Sequence, residues 1–232
     1  MSTAKANALK EYLLNHGDDI GKVVDFDPVT DDVMNFDFTA NNRCLSAETI
    51  ADTALFSEWI EDQLKQTNSR YGIGGYNEHR TLYARSSLFG DNAEPRRLHL
   101  GVDIWGPAGT SIYNPLEGCI HSFKFNNQFG DYGATIILEH KLDDLTIHTL
   151  YGHLSLASLN GLKEGQTIPK GSNFADFGIP AENGHWPPHL HFQLIFDMGN
   201  YKGDYPGVCA FPQREYYLRN CPDPHDLLAF TF

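Results

Sequence analysis

His189-Leu190-His191-Phe192-Gln193-Leu194 places a polar side chain at every odd position and an apolar one at every even position. On a β-strand successive side chains point to opposite faces. His189, His191 and Gln193 therefore share one face, and Leu190, Phe192 and Leu194 the other. The apolar row suits a core. The opposite row carries two imidazoles, each of which needs a hydrogen-bonding partner if buried, and Pro187-Pro188 just before them sets an extended entry. The same texture extends outward over residues 96–196. Short β-rich runs at 98–104, 110–113, 119–125, 134–140, 146–151 and 189–196 are separated at close intervals by Gly, Pro, Asn and Asp. With no helical runs between them, they predict a mainly β fold, an antiparallel sheet or sandwich.

The flanks read differently. Ala8, Leu9, Tyr12 and Leu13 carry a helical pattern over 5–16, and two short strands at 23–26 and 33–38 around an acidic turn suggest a hairpin. Ser46 is placed to cap a helix running to about Gln66, with Ile50, Ala54, Leu55 and Trp59 near helical spacing. Tyr71-Gly72-Ile73-Gly74-Gly75-Tyr76-Asn77-Glu78-His79-Arg80 is rich in glycine and is read as a loop. The chain thus divides into an α+β segment (1–70), a connector or lid (71–95), the β domain (96–196) and a packed C-terminal extension (197–232) with a short helical turn near 214–218.

The chain has 232 residues, of which 41% are hydrophobic, with 15 Phe, 11 Tyr and 3 Trp, enough for a sizeable core. A formal net charge of −13 argues against nucleic acid or an anionic membrane as partner. The start is polar and lacks the apolar stretch of a secretory signal, and no segment approaches a membrane span, so a cytoplasmic protein with reduced thiols is expected. Cys44, Cys119, Cys209 and Cys221 form no C-x-x-C pair, and pairing of Cys209 with Cys221 stays open. Arg70, Arg80, Arg85, Arg96 and Arg97 crowd one stretch, either a solvated surface or an anion-friendly rim for a substrate.

A second motif, His99-Leu100-Gly101-Val102-Asp103-Ile104, has the same alternation. It sets His99, Gly101 and Asp103 on one face, with the glycine leaving room for an ion. Imidazole nitrogen and carboxylate oxygen are suitable zinc ligands. A third, Leu150-Tyr151-Gly152-His153-Leu154, adds one more imidazole. Three stretches on separate β segments thus supply the donors for a catalytic zinc, which takes three protein ligands and keeps an open position, with imidazoles left over for proton transfer. His185, beside the first motif, is a candidate substrate-loop residue. No H-E-x-x-H helix is present.

In order and spacing, His99-x-x-x-Asp103, Tyr151-Gly152-His153-Leu154 and His189-x-His191 resemble the lysostaphin-type (β-lytic) zinc endopeptidases. Further matches lie at Gly109 to Pro115, Glu117-Gly118, Gly130 to His140, Gly161 to Gln166 and Lys170-Gly171. The resemblance implies an antiparallel β fold with zinc in a groove on one sheet. His99, Asp103 and His191 would be ligands, and His153 and His189 the catalytic pair. It implies hydrolysis of a peptide bond, in this family often in cell-wall peptides, and Arg80, Arg97 and His185 are taken as substrate-binding candidates. The loop from Gly178 to Pro188 departs from the small Gly- and Ser/Thr-rich loop of the cell-wall enzymes. The wider pattern, with Gly74 to Arg80, is similar to a subgroup fused to kinase-like and aminotransferase-like modules, which implies a small cytoplasmic peptide or amide. Two other readings remain open at this point: a hydrolase of a non-peptide amide or ester, and a latent or regulatory module in which Asn77 or its neighbours fold over the metal.

Overall fold

The computed structural model describes residues 2–90 and 94–228; residues 91–93 of the expected connector and 229–232 of the tail lie outside the described residues. In chain order the elements are α1 (Ser2–His16), β1 (Val33–Phe36), α2 (Ala47–Ala51), α3 (Thr53–Thr67) and β2 (Tyr71–Gly74). Then come β3 (Arg96–His99), β4 (Val102–Trp105), β5 (Ser111–Tyr113), β6 (Gly118–Asn126), β7 (Gly133–Leu142) and β8 (Leu145–Leu154). The chain continues through β9 (Thr167–Ile168), β10 (Asn173–Asp176), β11 (His189–Ile195), β12 (Val208–Ala210) and α4 (Arg214–Asn220). The mainly β class is as expected. The centre is an eight-stranded sheet in the order β1-β2-β4-β11-β8-β7-β6-β9, with two-stranded pairs β10-β5 and β12-β3 beside it.

Alternation places the two faces of this sheet in different surroundings. Leu190, Phe192 and Leu194 of β11 join Val102 and Ile104 of β4 in the largest core cluster, which Leu9 of α1 also enters. The other face carries Trp105, Asp103, His189, His191 and Gln193. It is covered by two smaller clusters: Phe36, Phe38, Phe56 and Trp186 with Trp105, and Leu98, Leu100, Tyr205 and Cys209 with Leu150. Segments on both sides of the β region thus roof the face that holds the histidines.

Several expectations are corrected. The hairpin at 23–38 does not form: Val24 makes an isolated bridge to Ile112, and β1 pairs in parallel with β2, the one parallel pair in an otherwise antiparallel sheet. The helix after Ser46 is broken. Ser46 caps α2 by accepting from Thr49 N–H, and Asp52 then caps α3 by accepting from Ala54 and Leu55. The first four residues of the glycine-rich stretch read as a loop, Tyr71–Gly74, are instead β2, paired with β4 as well as β1. Residues 98–104 do not form one strand. β3 ends at His99 and pairs with β12, while β4 begins at Val102 inside the main sheet. The expected α1 is present, and the expected turn near 214–218 is α4. All four cysteines are free thiols, so Cys209 and Cys221 do not pair. Among the described residues no helix is long and apolar enough to cross a membrane.

Candidate metal centre

Asp103 and His191 face each other directly across β4 and β11. His99 enters from β3, a strand of a different sheet, and its ring reaches the same point. His99 Nε2 lies 2.9 Å from His191 Nδ1 and 3.2 Å from Asp103 Oδ1, and His191 Nδ1 lies 3.0 Å from the same oxygen. Ligands held at ~2.0–2.1 Å in a tetrahedron are ~3.3 Å apart, so the triangle is close to the size zinc requires. Among the described residues this is the one cluster of His, Cys, Asp and Glu close enough to hold a metal.

Proton positions support the same reading. His99 Nδ1 lies 2.9 Å from the Gly75 carbonyl, which only accepts, so Nδ1 carries the proton and Nε2 a lone pair. His191 Nε2 lies 2.9 Å from Gln193 Oε1, and that amide is oriented because its nitrogen donates to the Pro206 carbonyl at 3.2 Å. His191 Nδ1 is then a lone pair too. Two nitrogen lone pairs and a carboxylate oxygen converge with no proton between them, an arrangement that a cation relieves. The residues fit a zinc ion, and ring N–H groups tied to carbonyl oxygens are the usual support for metal-binding imidazoles.

Arg80 stabilises the same carboxylate from behind. It donates through Nη1 to Asp103 Oδ2, through Nε to Glu78 Oε2 at 2.7 Å, and through Nη2 to the Gly75 carbonyl at 3.2 Å. Burial by itself would push the Asp103 carboxyl up, but His99 and His191 when protonated, together with Arg80, outweigh it and hold it well below the ordinary range; with both rings neutral, Arg80 remains as the countercharge. Burial, helped by Arg80, pulls His99 down to about 3.

His153 reaches the site by a break in the strand pattern. In register with Tyr151, it would point into the large core. The β7–β8 pairing shifts between Ala134 and Ile136, leaving an extra residue on β8, and His153 adopts φ 64°. Such a bulge re-aims a side chain, at a backbone cost of ~1–2 kcal/mol for a non-glycine residue. Its N–H donates to the Tyr132 carbonyl at 2.7 Å and its Nδ1 to the Asn183 carbonyl at 2.8 Å. His189 is held likewise, Nδ1 donating to the Pro187 carbonyl at 2.8 Å, with its ring stacked on Trp105 at 3.9 Å. The two imidazole centroids are 4.1 Å apart. Each donates through Nδ1, so each Nε2 is an acceptor. Burial, then the neighbouring His189, pulls His153 well down, and burial takes His189 to about 4, so both rings are neutral near pH 7.

The substrate candidates are placed less uniformly. Arg80 is 1% exposed and pairs with Asp103, so it is no part of an exposed rim. Arg97 is half-buried on β3, where its carbonyl accepts the Arg80 N–H at 2.9 Å. His185 is exposed and stacks on Phe129 at 5.6 Å; neither it nor Arg97 lines the cavity above the metal centre. Asn77 holds the His99 carbonyl through its backbone N–H at 2.9 Å and does not line the cavity either. Sequence reasoning missed Glu78, Asn183, Trp186 and Tyr132. Their only signal was proximity to motif residues in a fold not yet known. Gln193 was legible through its alternation with His189 and His191.

Residues 97–202 match the profile of peptidase family M23. This stretch is similar to M23 peptidase domains. The three metal-centre residues and both neighbouring imidazoles lie inside that region. The chain is 29% identical over 147 residues to the L-Ala--D-Glu endopeptidase of Bacillus subtilis, covering 59% of this chain and 43% of the relative. It is 31% identical over 125 residues to the DD-carboxypeptidase/endopeptidase Mpg of Neisseria meningitidis, covering 52% and 26%. It therefore spans less than half the length of these curated relatives. Similar solved structures include a zinc containing peptidase from Vibrio cholerae, 26% identical with TM-score 0.36 over 52% of this chain and 31% of that one. The catalytic domain of lysostaphin from Staphylococcus simulans is 21% identical, with TM-score 0.41 over 69% and 96%.

Proposed function

We propose that this M23-like domain is a zinc-dependent peptidase that hydrolyses a peptide bond with water. The convergence of three unprotonated donor atoms within 3.2 Å of one another carries the reading. His99, Asp103 and His191 would hold the ion, which when bound polarises the scissile carbonyl and brings the pKa of its water toward ~7. His153 and His189 each present an unprotonated Nε2 toward the same cavity. One takes the proton of the attacking water and passes it to the leaving amine; the other, an acceptor at Nε2, takes a hydrogen bond from the same water and orients it. Trp105 fixes the plane of His189, and the Asn183 carbonyl fixes that of His153. Arg80 keeps Asp103 ionised and oriented and holds no substrate itself.

Metal analysis of the purified protein, with hydrolysis of short peptides in the presence and absence of chelator, tests this. His153→Ala should keep zinc and lose about 10²–10⁴-fold in kcat, whereas His99→Ala should lose the zinc. Full activity in either variant, or protein that takes up no divalent metal, would sink the assignment.

A further inference from the structure

The candidate metal centre lies in a cavity of about 280 Å³, just below the ~300–1,000 Å³ range for small-ligand sites. His189 is 2% exposed, His191 and Asp103 3%, and His153 6%. The roof comes from both flanks of the β region, Leu88 and Phe89 on one side and Tyr201 and Tyr205 on the other. Residues from both flanks thus narrow the approach to the metal centre, which favours a short chain over an extended polymer.

The charges of the lining point to what enters. Arg80 is already paired with both Asp103 and Glu78. Arg96, Asp131 and Asp204 also line the cavity, and none of them forms an ion pair among the described residues. Arg96 lies over the Phe89 ring, 5.4 Å from its centroid, with one nitrogen donating to the Leu88 carbonyl and its Nε buried without a partner. Asp131 accepts a single hydrogen bond from the Tyr132 N–H at 2.8 Å. Burial pushes both carboxyls up, and Asp204 pushes Asp131 further; the Tyr132 and Tyr205 N–H groups, Lys124 and, less strongly, Arg96 only partly offset this. The Trp186 indole, 3% exposed and lining the same cavity, has an N–H with no acceptor, although a buried indole N–H usually finds one. Half-buried charges and a buried donor left unpaired are costly unless a ligand completes them.

Resting on the peptidase reading above, we propose that the substrate is a short peptide with both termini free. Its ammonium would be held by Asp131 and Asp204, and its carboxylate by Arg96 with the Trp186 N–H. These are specificity residues and take no part in the proton transfers. A blocked terminus brings no countercharge and leaves one of these groups unpaired in the cavity.

The test uses the zinc-loaded full chain with free tripeptides of L, D and glycine residues, the same peptides N-acetylated or C-amidated, and pentaglycine blocked at both ends. Free tripeptides should be cleaved with kcat/KM at least about tenfold above the blocked forms, equivalent to ~1.4 kcal/mol. Asp204→Asn and Arg96→Gln should each raise KM for the free peptide about tenfold while zinc content and kcat change little; a purely structural role would move kcat and zinc content together. Equal cleavage of blocked and free peptides, a comparison that needs no variant, overturns the proposal and leaves the peptidase reading standing. Zinc-loaded protein that cleaves no peptide overturns both.

Discussion

At the scale of single residues, the buried histidines divide by what each ring nitrogen meets. His140, 0% exposed, sits in β7 away from the metal centre, Nδ1 donating to the Glu117 carbonyl at 3.0 Å and Nε2 2.7 Å from Thr149 Oγ1. Burial pulls it from 6.5 to about 4. A neutral ring is thus favoured in the fold, and the unfolded chain binds the extra proton between those values. The stability that His140 contributes is complete above about pH 6.5 and is lost as pH falls toward 4. A shift of this size amounts to roughly 3 kcal/mol. Urea midpoints measured from pH 7.5 to 4.5 should fall for the native protein and fall distinctly less for His140→Gln; parallel curves would remove His140 as the cause. The cluster of His99, Asp103 and His191 was legible in the sequence because donors able to hold a metal come in recognisable types and spacings. Arg80 was legible as a charge, but its place behind Asp103 was not, since nothing in a linear stretch says which carboxylate an arginine will meet.

At the scale of elements, alternation found the right residues in 98–104 by a partly wrong route. Leu98 and Leu100 belong to one core cluster, and Val102 and Ile104 to another. The chain therefore changes layers at Gly101, and His99 and Asp103 meet from two strands rather than one. The glycine was expected to leave room for an ion. A Cβ there would come 2.7 Å from the His191 ring and from the Phe192 carbonyl, so the space it leaves belongs to the His191 ring. Gly101→Ala should cost about 1–3 kcal/mol as an overpacked site and lower zinc occupancy; calorimetry and metal analysis read both, and native values for the variant would refute the close approach. The same logic explains the missed β2. Its glycines read as breakers, yet a Cβ on Gly72 would fall 2.0 Å from the Phe36 ring of the neighbouring strand. A glycine that makes way for an aromatic ring in a sheet looks, in sequence, like one that makes a loop.

At the scale of the whole molecule, the family-matched region does not complete its own site. β2 covers the edge of β4, the Gly75 carbonyl orients His99, and Arg80 stabilises Asp103, all from residues before the match. On the other side, the Pro206 carbonyl orients Gln193 and hence His191. A chain beginning at residue 96 would expose the β4 edge and leave the Asp103 carboxylate without its countercharge. It should bind zinc at least about tenfold more weakly, since lost outer partners typically cost 10–100-fold in metal affinity, and it should associate through the open strand. Zinc titration and sedimentation of the truncated and full chains check this; matched affinities and a monomeric truncation would show that the flanks are dispensable.

The β character of residues 96–196, and the donor residues that converge, were determined by the sequence alone, because periodicity and side-chain chemistry are local properties. Tertiary structure decided where β1 and β2 join the sheet, how a bulge turns His153 out of the core, and which charges are paired around the metal centre. Those outcomes depend on contacts between residues far apart in the chain, whose energies exist only once the layers have packed.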